Sequence, residues 1–127
     1  MKKFLLILVV LILHSCDSKS HSLGGRYELY WIDEPSAVKV GIRTDNGAIM
    51  QRVSASVTAF GSNEKWVTVS RIDPKSKITE YFYWEKHKDD QFKNSEDIVE
   101  GPFSYEEFKA LNVVGDLPPL EKVTMSD

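Results

Sequence analysis

Hydrophobic and polar residues alternate with a period of two over much of the chain. The alternation is clearest at residues 27–32 and 38–43, where apolar side chains occupy every second position. Successive side chains of a strand point to opposite faces of a sheet, so this pattern predicts half-buried β-strands. Further stretches rich in β-branched and aromatic residues lie at 49–60, 66–72 and 78–84. The pattern therefore predicts five strands.

Turn-forming residues separate these strands. Pro35 ends the first, because proline cannot donate a hydrogen bond to a neighbouring strand. Asn46-Gly47 is typical of a tight hairpin turn, and residues 61–64 and 73–77 form the next two turns. Short turns join antiparallel neighbours. We therefore expect a mainly β (α+β) fold, an antiparallel meander of about five to six strands that forms a half-barrel or a small sandwich.

The last third of the chain predicts one short C-terminal helix. Residues 85–97 are highly charged and are expected to form an exposed loop with room for a helical turn. Ser104 and Glu107 have the spacing of a capping box, and Phe103 and Phe108 that of a hydrophobic staple. These signals predict a helix from Tyr105 to about residue 112. The tail at 121–127 is expected to add an edge strand or to remain loose.

The first fifteen residues have a different pattern. Lys2 and Lys3 precede ten consecutive apolar residues at 4–13. A helix of ten residues reaches about 15 Å, half of a bilayer's hydrocarbon core of roughly 30 Å. Residues 1–15 are therefore expected to be a secretory signal peptide.

Cys16 is the only cysteine and directly follows this segment. Leu13-His14-Ser15-Cys16 resembles the lipobox of bacterial lipoproteins. The resemblance implies that Cys16 carries covalent diacylglyceryl and N-acyl lipid and becomes the first mature residue, anchored outside the cytoplasmic membrane in the cell envelope. Either the inner or the outer membrane is compatible with these residues. The alternative is ordinary cleavage, which leaves Cys16 as a free thiol.

Removing the signal peptide leaves 112 residues, enough for one hydrophobic core. We expect residues 16–25 to be an acylated polar tether and residues 26–127 to be a single β-rich domain. The mature chain has 14 basic and 19 acidic residues, a net charge of about −5. An acidic surface argues against nucleic-acid binding, since it has no basic stripe for phosphates. It also repels anionic lipid headgroups, so the acyl chains rather than the protein surface are expected to hold the protein at the membrane.

Three segments together resemble a group of small bacterial lipoproteins that have no assigned activity. These segments are Gly25-Arg26-Tyr27-Glu28-Leu29, Lys65-Trp66-Val67 and the stretch from Gly101 to Phe108. The resemblance implies a lipoprotein with a β-rich body and supplies no catalytic residues.

Catalytic motifs are sparse. The chain has no Gly-x-Ser-x-Gly, no His-Glu-x-x-His and no glycine-rich phosphate loop. His87, beside Asp89 and Asp90, could serve as a general base or a metal ligand, and Glu96 and Asp97 could add oxygens for Ca²⁺. A solvated loop explains the same residues, and we favour it. We expect no catalytic residue, no metal and no cofactor other than the lipid on Cys16.

The aromatic residues supply the candidate binding surface. Within strand 78–84, Tyr81 and Tyr83 share one face, and Phe82 and Trp84 share the other. With Tyr30, the two tyrosines could contact a protein or a carbohydrate. Alternatively, they are partly covered by a thick aromatic core.

These observations favour a non-catalytic envelope binding module that captures an envelope or extracellular protein, in the manner of an immunity protein or an inhibitor. An accessory lipoprotein that binds a glycan or a small envelope ligand is the alternative. An enzyme is the least favoured hypothesis, because it depends only on His87 and its acidic neighbours.

Overall fold

Two antiparallel sheets are present in the structure, a computed structural model that describes residues 18–125. The first, sheet A, has the order β1-β2-β3-β4, with strands Ser18–Gly24, Tyr27–Ile32, Lys39–Arg43 and Ile49–Val53. The second, sheet B, has the order β8-β7-β6-β5-β9, where β5 to β9 are Val57–Ser62, Trp66–Ile72, Thr79–Glu85, Glu100–Phe103 and Glu121–Lys122. Both sheets are open. The expected mainly β meander with a C-terminal helix is confirmed, as two facing sheets.

The hydrophobic core lies between the two sheets. Sheet A contributes Leu29 and Val40, and sheet B contributes Val67, Val69 and Trp84, all at most 1% exposed. These are the apolar positions of the two-residue alternation, because one face of each sheet is turned toward the other.

The predicted single strand at 49–60 is instead two strands in different sheets. Strand β4 ends at Val53 and β5 begins at Val57, so residues 54–56 carry the chain from sheet A to sheet B. Three backbone hydrogen bonds hold the crossing: Val57 N donates to Val38 O, Ser56 N donates to Ile72 O, and Ile72 N donates to Ser56 O. The alternation of apolar and polar residues continues through residues 54–56, so the sequence pattern alone does not reveal the change of sheet.

Strand β1 occupies most of the segment expected to be a free tether. Residues 18–24 pair with β2 along its length, with Ser18 opposite Ile32 and Ser20 opposite Tyr30. The strand is polar and sits at the edge of sheet A, where backbone pairing needs no apolar face. The predicted signal peptide and Cys16 lie outside the described residues.

The C-terminal third adds the two edge strands of sheet B and packs its longer helix against the outer face of that sheet. A 3-10 turn, Lys86–Lys88, and helix α1, Ser95–Ile98, follow β7, and helix α2 spans Tyr105–Gly115. The capping box is formed as predicted: the Ser104 hydroxyl accepts from Glu107 N, and the Glu107 carboxylate accepts from Ser104 N. Helix α2 runs a turn further than expected, and the residues just before its N-cap form β8. The tail supplies the edge strand β9.

Candidate partner-binding surface

The loops of the sandwich gather at its two ends. One end, called the base end here, comprises the start of β1 and the connections at residues 33–38, 54–56 and 73–78. The other, called the loop end, comprises the turns at residues 25–26, 44–48 and 63–65 and the segment 86–94. Hydrogen bonds join the parts of each end: Ser56 Oγ donates to Ser36 O at the base end, and Lys86 N donates to Lys65 O at the loop end.

Tyr81 and Tyr83 are covered by the chain's own C-terminal third. The ring of Tyr81 stacks on Phe108 of α2 at a centroid distance of 5.1 Å. Tyr83 stacks on Phe103 of β8 at 5.7 Å and meets the edge of Trp66 at 5.7 Å. Both tyrosines lie on the outer face of sheet B, as their positions predict. Helix α2 packs on that face and Phe103 of the adjacent strand β8 stacks there on Tyr83, so the two tyrosines are partly covered, as the alternative expected.

Tyr30 lies on the other sheet. It sits in β2 opposite Ser20 of β1 and Lys39 of β3, and its residue is 7% exposed. Burial raises the pKa of its phenol. The structure therefore does not bring Tyr30 together with Tyr81 and Tyr83, because the three belong to opposite sides of the sandwich. A shared aromatic surface needs one continuous face, so the candidate surface is placed elsewhere.

A buried ion pair joins the loop end to the core. The side chains of Arg52 and Asp89 are both fully buried, and Arg52 Nη2 lies 2.9 Å from Asp89 Oδ1. Arg52 Nε also donates to Asp89 Oδ1 at 2.9 Å. The second carboxylate oxygen, Oδ2, accepts from the hydroxyl of Tyr27 at 2.6 Å, and that hydroxyl accepts from Trp84 Nε1 at 2.9 Å. Every member of the network thus has a partner.

Burial shapes the chemistry of this network. The pKa of Tyr27 is raised well above its usual value, first by burial and next by the hydrogen bond to Asp89. A phenolate beside the Asp89 carboxylate would place two negative charges next to each other in a buried site. Tyr27 is therefore held neutral as a donor.

Arg52 also fixes the backbone of the loop. Its Nη2 donates to the carbonyl of Asp90 at 2.9 Å and to that of Lys93 at 3.0 Å. The two carbonyls flank residues 91 and 92, so one guanidinium closes this short segment into a ring. Gln91 and Asp45 add a two-point contact to the β3–β4 hairpin, at 2.8 Å and 2.6 Å. The segment is consequently tied to both the core and the neighbouring hairpin.

Phe92 projects from this tied segment into solvent. It is 85% exposed, the highest value among the large hydrophobic residues of the described chain. Its backbone N–H donates to Asp90 Oδ1 at 2.8 Å, which sets the turn from which the ring projects. An open groove of about 490 Å³ lies beside it, lined by Thr44, Asp45, Asn46, Ala48, Met50, Gln91 and Phe92. Phe92 and this groove are called the Phe92 surface below.

His87 remains in the 3-10 turn and is exposed. Asp89, the carboxylate that sequence reasoning placed beside it, has both oxygens occupied by Arg52 and Tyr27. That carboxylate is therefore not the orienting partner a general base would need. Across residues 18–125, no group of three or more His, Cys, Asp or Glu side chains is placed to hold a metal ion.

Sequence reasoning missed Arg52, and it considered Asp89 only as a loop carboxylate beside His87. The loop at 85–97 was expected to be solvated, yet Asp89 is buried and Ile98 is 7% exposed. One signal was available. Arg52 is two residues from Met50, so both side chains point to the same face of β4, and Met50 packs against the core. A charged residue therefore occupies an inward-facing position of the strand. A buried arginine requires a carboxylate partner, and the acidic segment 85–97 is rich in them.

Comparisons of the chain with protein-family models, curated proteins and solved structures found no match. No helix within residues 18–125 is long and apolar enough to cross a bilayer. Function is therefore inferred from the residues and from the geometry of the Phe92 surface.

Proposed function

We propose that this protein is a lipid-anchored binding module of the bacterial cell envelope, which captures a protein partner through the Phe92 surface. The lipid is carried by Cys16, as its resemblance to a lipobox implies. The partner is an envelope or extracellular protein, and the module acts as an immunity protein or an inhibitor does, by occupying its target.

The observation that carries the binding proposal is an exposed phenylalanine on a fixed loop. Phe92 is 85% exposed, while Arg52 holds the carbonyls on either side of it. Full burial of such a side chain in a partner's pocket contributes about 1.5–3 kcal/mol. A loop that is already ordered loses little conformational entropy on binding, so more of that gain remains as affinity.

A protein partner fits this surface better than a glycan does. The glycan alternative relied on the faces of Tyr81 and Tyr83, and those rings contact Phe108, Phe103 and Trp66 instead. The Phe92 surface offers one projecting apolar ring beside Met50 and Ala48. A projecting ring is the anchor that fills a pocket at the centre of a protein interface.

Quantitative capture from crosslinked native membranes tests this proposal. The lipidated wild type is compared with Phe92→Ala and with a control variant, Glu64→Ala. Glu64 is an exposed residue on the neighbouring turn of the loop end. We expect Phe92→Ala to lower the recovery of one near-stoichiometric protein by at least about tenfold, as loss of an interface anchor does. Glu64→Ala should retain it.

Cys16→Ser, with the same tag, tests the anchor separately. It should leave the membrane fraction, whereas both loop-end variants should stay there. Equal recovery with wild type and Phe92→Ala would contradict the binding surface, and a Cys16→Ser variant that stays at the membrane would contradict the lipid anchor.

A further inference from the structure

The base end carries its own apolar and basic residues, next to the strand that leads to Cys16. Ile32, Ile72 and Ile78 are 57%, 39% and 63% exposed, and all three lie at this end. The remaining exposed large hydrophobics of the described chain are Phe92 at the loop end and Tyr105 on α2. Most of the exposed apolar surface that is not part of the Phe92 surface is therefore at the base.

We propose that the base end rests on the lipid bilayer, with Ile32, Ile72 and Ile78 at the level of the headgroups and Lys75 and Lys77 against lipid phosphates. The inference depends on the proposed lipid anchor and adds a defined orientation to it. The sandwich then stands on the membrane, with its loop end turned away from it.

The position of β1 limits how far the domain can move from its anchor. Strand β1 begins at Ser18, which is paired with Ile32. Cys16 precedes Ser18 by two residues, and a fully extended chain spans at most about 3.6 Å per residue. Chain length alone therefore keeps the Cα of residue 16 within about 7 Å of the Cα of Ser18. A flexible tether of ten residues would have let the domain take any orientation relative to the bilayer. Because β1 is paired with β2, the orientation is restricted.

The two sides of the base end form a continuous rim. Loop 33–38 and turn 73–78 flank a groove of about 400 Å³, lined by Glu34, Ser36, Ala37, Ser56, Ile72, Pro74 and Lys77. The Ser56 hydroxyl donates to Ser36 O, and Ser56 N donates to Ile72 O, so both sides are joined to the crossing at 54–56. Ile78 directly follows Lys77 of this groove, whereas Ile32 lines a second groove with Ser18 and Tyr30, so the base end offers two separate apolar contacts.

Turn 73–78 presents two lysines from a fixed backbone. Asp73 accepts from Ser76 N and Oγ, and Ser76 Oγ accepts from Ile78 N. These Ser76 hydrogen bonds lower the pKa of Asp73, and Arg71 lies 3.1 Å from the same carboxylate. Neither Lys75 nor Lys77 forms a salt bridge with a carboxylate in the described chain.

Charge also sets which side of the base end approaches the bilayer more closely. Loop 33–38 carries Asp33 and Glu34, both exposed, while turn 73–78 carries Lys75 and Lys77. Anionic headgroups attract the lysines and repel the carboxylates. Turn 73–78 is therefore expected to lie deepest, with Ile78 as its apolar contact, in the manner of an interfacial segment.

Depth-dependent quenching tests the orientation. Because acylation consumes the thiol of Cys16, Ile78→Cys, Ile32→Cys and Phe92→Cys each provide a single site for an environment-sensitive fluorophore. The lipidated proteins are reconstituted in vesicles of phosphatidylcholine and phosphatidylglycerol that contain a headgroup-labelled nitroxide quencher. We expect strong quenching at positions 78 and 32 and little at position 92.

A charge variant isolates the role of the lysines. Lys75→Gln with Lys77→Gln should reduce quenching at position 78, and Lys86→Gln with Lys88→Gln, at the loop end, should leave it unchanged. Proteins that float with the vesicles but show equal quenching at 78 and 92 would overturn the orientation while the anchor stands. A wild-type chain that does not float with the vesicles would overturn the anchor itself.

Discussion

The carboxylate of Asp89 connects the Phe92 surface to the core at the scale of a single residue. It accepts from Arg52 on one oxygen and from Tyr27 on the other, and both charged side chains are fully buried. Removal of one member of such a pair leaves the other charge buried without compensation. The loop, the core and the candidate binding surface therefore depend on the same contact.

We expect Asp89→Asn to lower the free energy of unfolding by about 3–5 kcal/mol, because the fully buried Arg52 charge then lacks a counter-ion. Asp90→Asn is the matched control: Asp90 is exposed, and an amide oxygen can still accept from Phe92 N. Urea unfolding at neutral pH measures both. Equal loss in the two variants would contradict the special role of Asp89.

Tyr27 should make the protein less stable in alkali. Its folded-state pKa is raised, so the unfolded chain loses this proton first, near pH 10. The stabilising contribution is complete below that pH, and it falls by about 1.4 kcal/mol for each pH unit above it.

Urea unfolding measured from pH 8 to about 11.5 follows this decline, because the range begins below the usual tyrosine pKa and ends above it. Tyr27→Phe should remove about one proton's contribution from the slope of the free energy of unfolding against pH in this range. Tyr105→Phe, at an exposed tyrosine, is the control and should leave that slope as in wild type. A slope unaffected by Tyr27→Phe would rule out this assignment.

At the same scale, local contacts could be predicted and distant ones could not. Ser104 and Glu107 are three residues apart, so their capping box follows from spacing alone. Arg52 and Asp89 are 37 residues apart in sequence, and Asp89 lies in a segment as charged as a solvated loop. Only the packing of β4 against segment 86–94 shows which of several nearby acids is buried.

At the scale of elements, the C-terminal segment closes against sheet B through a contact that requires glycine. A Cβ at Gly61 would lie 2.3 Å from the carbonyl oxygen of Pro119 and 2.6 Å from Thr68 Oγ1. Thr68 in turn donates to the carbonyl of Pro118 at 3.1 Å. Strands β5 and β6 thus seat the chain that leads from α2 into β9.

Gly61→Ala should therefore force the Pro118-Pro119 segment off the sheet and destabilise the protein by about 1–3 kcal/mol. Gly115→Ala is the control, because its nearest neighbour would be Leu117 Cγ at 3.7 Å, an ordinary contact, and alanine favours a helix. Thermal unfolding of the two variants checks this. A Gly61→Ala protein as stable as Gly115→Ala would contradict the close approach.

Elements with an apolar face followed from the sequence, and those held by backbone pairing did not. Strands β2, β3, β6 and β7 coincide with predicted strands, because each sends apolar side chains into the core at every second position. In β2 and β6 the residues between those positions are buried as well, which the expectation of half-buried strands did not include. Strand β1 has the sequence Ser-Lys-Ser-His-Ser-Leu-Gly and is mostly exposed, so it shows no apolar alternation. It is held by its backbone pairing with β2, which the sequence pattern does not reveal. The crossing at residues 54–56 was likewise hidden, since apolar residues continue on both sides of it.

At the scale of the whole molecule, the two ends of the sandwich have different roles in the proposed function. The base end carries β1 toward Cys16, and the loop end carries Phe92. Strand β7 connects the ends with seven residues, roughly 20 Å at the usual rise of a strand. An upright sandwich would hold the Phe92 surface about that far above the headgroups, within reach of a partner.

Site-specific photocrosslinking in intact cells tests the central claim most directly. A photoreactive phenylalanine analogue replaces Phe92 in the lipidated chain, and the same analogue at Ile78 and at Glu64 provides matched controls at the base end and at a neighbouring turn. We predict one discrete protein adduct from position 92, absent from position 64, and lipid adducts from position 78. The same protein adduct from all three positions, or none from position 92, would contradict a binding module that presents Phe92 to its partner.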